Sequence, residues 1–390
     1  LTLFLSGGKF QLVQSKSSQS VSLEKRIIER IRSNGPITFA QYMEAALYDP
    51  EYGYYTSGKH RIGFDGDYFT SPSLSPAFGR TIAKLLPLAD DSLKNPHPFH
   101  VLELGAGKGT TAERILEELK RGQPDLFNRA KYVCVERNRD TTPQWPIEWV
   151  DDVTGMKSLS GVVFSNEFFD ALPVHRVVMR PGGLKEIMVT ERDGKLGEIE
   201  ADLTDPSLPG YFHEEGVVIA DGQQAEVCLA ARDWINKIGA TLEHGLVVTI
   251  DYGYPAKELY APYRRHGTLL AYHKHKIVED AYQNIGEQDL TTHVDFTALA
   301  RWGKDVGLEI LAFTDQLRFF LNLGIHEVFA QMETEAASYS NYQTEVQAAK
   351  ALIMPGGMGE TFKVLVQYKG LDEAAIKKLR KKISSKYVLG

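Results

Sequence analysis

The sequence predicts an α/β fold organised on a mostly parallel, doubly wound sheet, and three observations carry that expectation. Short apolar runs recur through the chain: FHVLEL (99–104), KYVCVE (131–136), IEWVDDV (147–153), GVVFS (161–165) and LVVTI (246–250). Most are continuous rather than alternating, as strands covered on both faces must be. Helical stretches alternate with them, as crossovers between parallel strands require. Strand after strand also stops at an acid or amide: Glu136, then Asp151 and Asp152, then Asn166 and Glu167, then Asp251. In an open α/β sheet that carboxyl edge is where ligands bind.

Taken in order, residues 1–22 read as a flexible N-terminus, with Lys9 and Lys16 and no carboxylate before Glu24. Helical spacing of Leu23, Ile27, Ile28 and Ile31 predicts a helix over 23–33, closed by Asn34-Gly35-Pro36. A second helix, 39–47, follows a Thr38 cap. Residues 48–76 are loop-rich but dense in aromatics (Tyr52, Tyr54, Tyr55, Phe64, Tyr68, Phe69), which predicts an ordered lid over a site. A helix over 76–86 leads into the first strand.

That strand ends in a turn with three glycines, Gly105, Gly107 and Gly109, before an amphipathic helix over 111–121. Missing Cβ atoms let such a turn bend sharply and let a ligand reach its N–H groups. Gly107-Lys108-Gly109-Thr110 resembles the end of a phosphate loop, but Leu102 stands where the first glycine is needed. A dinucleotide fingerprint needs G-x-G-x-x-G, whereas the spacing here is G-x-G-x-G after Glu103. Read alone, the turn leaves its ligand open.

Beyond the fourth strand the period changes to two over 176–199, with turns at 181–183 and at Asp193-Gly194, which predicts an antiparallel insertion. A helix over 225–242, a second insertion over 254–295, a helix over 296–306, a strand over 309–313, a helix over 317–323 and a last strand over 362–368 complete the core. The tail 372–386 reads as a short basic helix with a solvated face.

Composition bounds the function. The 390 residues exceed one ordinary domain. A net charge of −7 argues against general nucleic-acid binding. Cys134 and Cys228 form no C-x-x-C, and no apolar run approaches a membrane span of roughly 18–20 residues.

Eight segments then occur in order: GPITFAQYM (35–43), YDPEYGYY (48–55), GDYFTSP (66–72), ELGAGKGT (103–110), SNEFFDALPVHR (165–176), DYG (251–253), GEQDLTTHVDF (286–296) and MGETFKVL (358–365). Together they resemble the MidA-type S-adenosylmethionine-dependent methyltransferases, a family that includes a mitochondrial arginine methyltransferase of respiratory complex I assembly. The resemblance spans about residues 35–368 and implies a class I, Rossmann-like methyltransferase fold with S-adenosylmethionine as cofactor. Glu103, Gly105, Ala106, Gly107 and Gly109 would hold the methionine and ribose. Glu136 would accept the ribose hydroxyls, as a carboxylate can accept two at once. Asp151 or Asp152 would meet the adenine amino group, and Thr70, Ser71 and Pro72 would close over the cofactor.

For the chemistry, the resemblance points to Glu167, with Asn166 and Asp170 beside it. An arginine acceptor stays protonated near neutral pH, so a carboxylate that pairs with the guanidinium can fix its orientation and draw charge from the attacking nitrogen. The expected activity is protein arginine N-methylation; the alternatives are a small-molecule or other protein-residue methyltransferase, or a cofactor-binding assembly scaffold without turnover. A protein substrate follows, with a complex I subunit as the candidate and a homodimer as the candidate assembly. The compartment would be cytoplasmic in a bacterium and the mitochondrial matrix in a eukaryote. His273, His275 and His293, with Asp289, have the residue types of a metal site, but this chemistry needs none; packing or a substrate groove with Gln288 and Asp289 is the expectation. His175 is expected to pack. The chain departs from the family at Ser73, which replaces an acid, at Ala106 and Lys108, where Pro and Arg are common, and over 137–144. The expected division is a helical lid segment (23–95), a methyltransferase domain (96–370) with insertions at 174–222 and 254–295, and a basic C-terminal helix (371–390).

Overall fold

The fold is drawn from a computed structural model that describes residues 22–57, 75–138, 144–274, 276–336 and 339–389. Thr70, Ser71, Pro72, Ser73 and His275 lie outside the described residues, as does most of the expected lid loop.

The chain begins with α1 (Leu23–Asn34), capped by the Ser22 side chain, and a two-residue strand β1 (Ile37–Thr38). Thr38 and Gln41 then cap α2 (Phe39–Tyr48) reciprocally, at 3.1 and 3.2 Å. Where one helix was expected over 76–86 there are two, α3 (Ala77–Ala83) and α4 (Leu85–Ser92). Pro87 has no N–H to offer the Ala83 carbonyl, which interrupts the helical ladder at Lys84. The core strands follow: β2 (Phe99–Leu104), then α5 (Thr110–Gly122), α6 (Pro124–Arg129), β3 (Ala130–Val135), β4 (Ile147–Val150) and β5 (Leu159–Asn166).

The first insertion gives β6 (His175–Arg180), β7 (Gly183–Arg192), β8 (Lys195–Ala201), α7 (Leu208–Glu214) and β9 (Gln224–Val227). Asp193 and Gly194 both have positive φ (53° and 80°), as a two-residue hairpin turn requires. The helix expected over 225–242 starts later, as α8 (Leu229–Thr241), because Ala225 and Val227 pair with Val177 and His175 of β6. Pairing across the chain overrides the local pattern there.

Next come β10 (Leu242–Tyr254), α9 (Ala256–Leu259), the short strands β11 (Leu270–His273), β12 (Lys276–Val278), β13 (Asp289–Thr291) and β14 (Val294–Asp295), and α10 (Phe296–Asp305). The chain closes with β15 (Glu309–Asp315), α11 (Gln316–Leu323), α12 (Ile325–Glu335), α13 (Tyr339–Ala351), α14 (Met358–Thr361), β16 (Phe362–Lys369) and α15 (Glu373–Lys382).

The central sheet runs β15-β16-β10-β5-β2-β3-β4, with β14 added beside β10. Five neighbours, β10, β5, β2, β3 and β4, are parallel, and β16 is antiparallel between β10 and β15. Alternate residues feed two cores. Val101, Tyr132, Val162 and Val248 pack with α3–α5 and α11–α12, while Leu102, Val133, Val163 and Val247 pack with α8 and α10. Both faces are covered, which is why the strands read as unbroken apolar runs. A third core joins α1 and α2 to the insertions through Val189, Ala271 and Leu290. There β1 forms an edge of a five-stranded antiparallel sheet with β7, β6, β9 and β8. The C-terminal α15 is basic outside but seats Leu379 and Ile383 in the first core.

From β2 the chain steps outward to β3 and β4, then returns to β5 on the other side of β2. The reversal leaves a crevice between the carboxyl ends of β2 and β5. The glycine turn and the Asn166-Glu167 pair flank it.

Candidate active site

The first wall is built from backbone. Gly105, Gly107 and Gly109 all take left-handed φ (68°, 53° and 75°), so side-chain-bearing residues would be strained at each. A Cβ at Gly105 would lie 2.9 Å from the Phe168 ring, whereas one at Gly107 would meet none of the described residues within 4 Å. Phe168 thus fills the space behind the turn, and among the described residues the Gly107 side is open. Ala106 is buried. Lys108 is exposed. Helix α5 starts at Gly109 without a side-chain cap, which leaves first-turn N–H groups available to an anionic group.

Glu103 lies beneath this turn, buried, with its carboxyl accepting from Tyr132 Oη at 2.7 Å. Burial pushes it up to about 7, against the pull of its Tyr132 and Thr111 partners. Glu136 continues the wall. Its Oε2 accepts the Gly107 N–H at 2.9 Å and its Oε1 the Asn138 N–H at 3.1 Å, tying the β3 end to the glycine turn. The carboxylate keeps acceptor capacity beyond these bonds. Burial raises this carboxyl, and the N–H groups of Asn138, Gly107 and Arg137 pull it back.

Asp151 and Asp152 follow β4, which ends at Val150 and not at Val153. Asp152 explains the early stop: its Oδ1 accepts both the N–H and the hydroxyl of Thr154 at 2.8 Å, and its Oδ2 pairs with Lys237. Although burial opposes it, these donors hold Asp152 below the usual carboxylate range. Asp151 is exposed at the same edge.

The opposite wall is built from acids. Glu167 has φ +51°, an uncommon left-handed conformation for a residue other than glycine. Its Oε1 accepts from Asn166 Nδ2 at 2.9 Å, while Asn166 Oδ1 is buried without a partner. Asp170 Oδ2 accepts from the hydroxyls of Tyr252 and, at 2.8 Å, Thr291; its Oδ1 is also buried without a partner. Burial raises the Asp170 carboxyl despite the Tyr252 and Thr291 hydroxyls and the Ala171 and Asp170 N–H groups that oppose it. Asp251 is fully buried below the Glu167 turn and accepts backbone N–H groups from it. Burial, with Asp170 and Glu167 nearby, pushes Asp251 well above the ordinary value. Three acids around one turn make a place where a cation relieves repulsion and fills open acceptor positions.

Tyr48 and Tyr55 bridge the two walls. Their rings stack at 5.6 Å; Tyr48 donates to Ala171 O at 3.0 Å and Tyr55 to Asp289 Oδ1 at 2.8 Å. On the cofactor side, Arg137 lies 4.7 Å over the Tyr48 ring and pairs with Glu44, and Asn138 Nδ2 donates to Tyr55 O at 2.8 Å. Thr291 reaches Tyr252 because β14 pairs with the end of β10. That approach needs Gly253, where a Cβ would lie 2.1 Å from Val294 O.

Sequence reasoning therefore located the glycine turn, Glu136 and the Asn166-Glu167-Asp170 group on one edge. It assigned no specific contact to Asp251, Tyr252, Thr291, Tyr48 or Tyr55. The signal for Asp251 was present, since a carboxylate at a buried strand end demands donors. His175 packs as expected, with Nδ1 2.7 Å from buried Glu186. His273 bonds the Glu287 carbonyl, and His293 sits between Tyr252 and Tyr254, lowered by burial to about 4. Among the described residues no group of three His, Cys, Asp or Glu side chains could hold a metal ion.

Comparison with known proteins agrees with this geometry. A family model described as "Putative S-adenosyl-L-methionine-dependent methyltransferase" matches residues 79–314. The chain is 27% identical over 382 residues to the Bos taurus protein arginine methyltransferase NDUFAF7, mitochondrial, covering 87% of this chain and 82% of that protein. The Homo sapiens protein of the same name is 27% identical over 374 residues, covering 87% and 81%. A crystal structure of a COG1565 superfamily member from Burkholderia thailandensis, bound to S-adenosyl-homocysteine, superposes with a TM-score of 0.80. It is 31% identical, with 90% of this chain and 92% of that one covered. The fold is thus the class I methyltransferase fold that the ordered motifs implied. An open glycine turn tied to a two-oxygen acceptor fits S-adenosylmethionine, and with more than half its length matched, the chain belongs to this S-adenosyl-L-methionine-dependent methyltransferase family.

Proposed function

We propose that the enzyme methylates an arginine of a protein substrate, with Glu167 receiving the guanidinium. One observation carries the reading: Glu167, Asn166 and Asp170 converge at the β5 end, across the crevice from the glycine turn, with the buried Asn166 Oδ1 unpartnered among the described residues. A guanidinium carries five donors in a planar fork and is the side chain best suited to such a set. The names of the curated relatives support the acceptor.

The glycine turn would hold the methionine and ribose part of the cofactor, with Glu136 on the ribose hydroxyls. Asp151 or Asp152, both at the end of β4, would meet the adenine amino group. The bound cofactor supplies a methyl group on a sulfonium, whose S–C bond breaks toward sulfur as the acceptor nitrogen bonds to carbon. Glu167 orients the guanidinium, draws its positive charge from the attacking nitrogen and takes the proton that nitrogen releases. Asn166 fixes Glu167 through its amide N–H. Phe168 closes the space behind Gly105 and excludes water there.

A complex I subunit as acceptor rests on the family resemblance, and a homodimer is the candidate assembly. The mitochondrial names of the relatives support that organelle for a eukaryotic form, and among the described residues no helix is long and apolar enough to cross a membrane. The test is transfer from methyl-deuterated S-adenosylmethionine into a lysate from cells lacking this protein, followed by peptide mass spectrometry. Label on arginine is expected. Label confined to other residues or small molecules overturns the acceptor, and cofactor binding without any label favours an assembly scaffold.

A further inference from the structure

We infer that the carboxyl end of β10 is a template for the Glu167 turn, with Asp251 and Tyr252 as positioning residues for methyl transfer. The inference rests on reading Glu167 as the acceptor-side acid. Strands β5 and β10 run in parallel until Asn166 and Ile250, their last paired residues. There they part: β10 continues to Tyr254, while the β5 chain turns at Glu167. The left-handed Glu167 backbone is strained and persists only where its surroundings over-determine it.

Three successive residues of β10 provide that determination. The Ile250 carbonyl accepts the Glu167 N–H at 3.1 Å. One oxygen of Asp251, Oδ2, accepts the N–H groups of Phe168, Phe169 and Asp170 at 3.2, 3.0 and 3.4 Å. Its other oxygen accepts the Tyr252 N–H at 3.0 Å. The Tyr252 hydroxyl then donates to Asp170 Oδ2, the oxygen that Thr291 also reaches. Every residue from Glu167 to Asp170 is thus held by β10, a strand from a distant part of the sequence. Asp251 is fully buried and all its contacts are internal, so it acts through the turn.

The turn is also registered on the cofactor wall, because the Phe168 ring lies where a Gly105 side chain would be. A shift of the turn would move Glu167 and Phe168 together. Displacements near 1 Å at a reacting centre cost on the order of 100-fold in rate. A cap that merely stabilises the fold would lower the melting temperature without selecting kcat.

The test measures kcat, S-adenosylhomocysteine affinity and melting temperature for Asp251→Asn, Tyr252→Phe, Glu167→Gln and the Glu167→Gln/Tyr252→Phe pair. Tyr252→Phe removes one hydroxyl, so it keeps the proposal testable if Asp251→Asn fails to fold. We expect Tyr252→Phe to melt as wild type, bind cofactor product within about 3-fold and lose roughly 10-fold or more in kcat. Asp251→Asn should lose more. Adding Tyr252→Phe to Glu167→Gln should cost no more than about 2-fold further, since the two act as one unit. Folded Tyr252→Phe with wild-type kcat, or a full independent loss in the pair, overturns the template. If Glu167→Gln is inactive and Tyr252→Phe is normal, the template alone fails. If Glu167→Gln turns over normally, the Glu167 reading fails and the template falls with it.

Discussion

The two walls of the crevice are made in opposite ways. The cofactor wall comes from one stretch, Glu103 to Asp152, and its key contacts are backbone N–H groups gathered by the Glu136 carboxylate. The acceptor wall is assembled from four separated segments, holding Tyr48 and Tyr55, Asn166 to Asp170, Asp251 and Tyr252, and Asp289 and Thr291. Its contacts run between these distant segments, side chain to side chain at Tyr55, Asp170 and Tyr252 and side chain to backbone at Tyr48 and Asp251. A local backbone cradle recognises a constant group, while a wall built from distant side chains can change its acceptor without disturbing the cradle. If that division is real, mutations should separate cofactor affinity from turnover.

The largest break is expected at Glu167. Glu167→Gln keeps the size of the side chain and its bond to Asn166 but removes the charge and the proton acceptor, and should lower kcat by about 10³-fold. Glu136→Ala tests the other wall. It removes the ribose acceptor and frees the Gly107 and Asn138 N–H groups. At saturating cofactor its kcat should stay within about 3-fold of wild type, while the KM for cofactor rises by roughly 30–100-fold, two hydrogen bonds of about 1 kcal/mol or slightly more each being lost. Parallel losses in both parameters for both variants would erase the distinction.

The smallest effect concerns Glu103, which sharpens the comparison by showing what holds the cradle from below. Its folded value is about 7 against an ordinary 4.5, so the folded state binds more protons than the unfolded state between those pH values. Stability from this group is therefore complete below about pH 4.5, falls as pH rises towards 7 and levels off above it. Glu103→Gln should match wild-type stability near pH 4.5 and exceed it by about 3 kcal/mol at pH 8, read from denaturant unfolding. A variant less stable than wild type at both pH values would contradict this sign.

The same contrast explains what could be read from the sequence. The strand ending at Leu104 and the glycine turn were legible because strand burial and turn chemistry are local. The break at Lys84 was carried by Pro87 and could have been read. The strand at Gln224–Val227 could not, since its pairing with β6 is tertiary. Of the site, Glu136 and Glu167 were visible as acids at strand ends. Tyr252 and Thr291 were not, because their contact depends on β14 folding back against Gly253. Tyr48 and Tyr55 were legible only as members of an aromatic loop, and nothing local showed that their hydroxyls reach Ala171 and Asp289.

The division between the walls is tested most directly by calorimetric titration of S-adenosylhomocysteine into wild type, Glu136→Ala and Glu167→Gln in parallel. The account predicts a wild-type-like Kd for Glu167→Gln and a Kd roughly 30–100-fold weaker for Glu136→Ala. Equal affinities in all three proteins, or a greater loss at Glu167 than at Glu136, would contradict it.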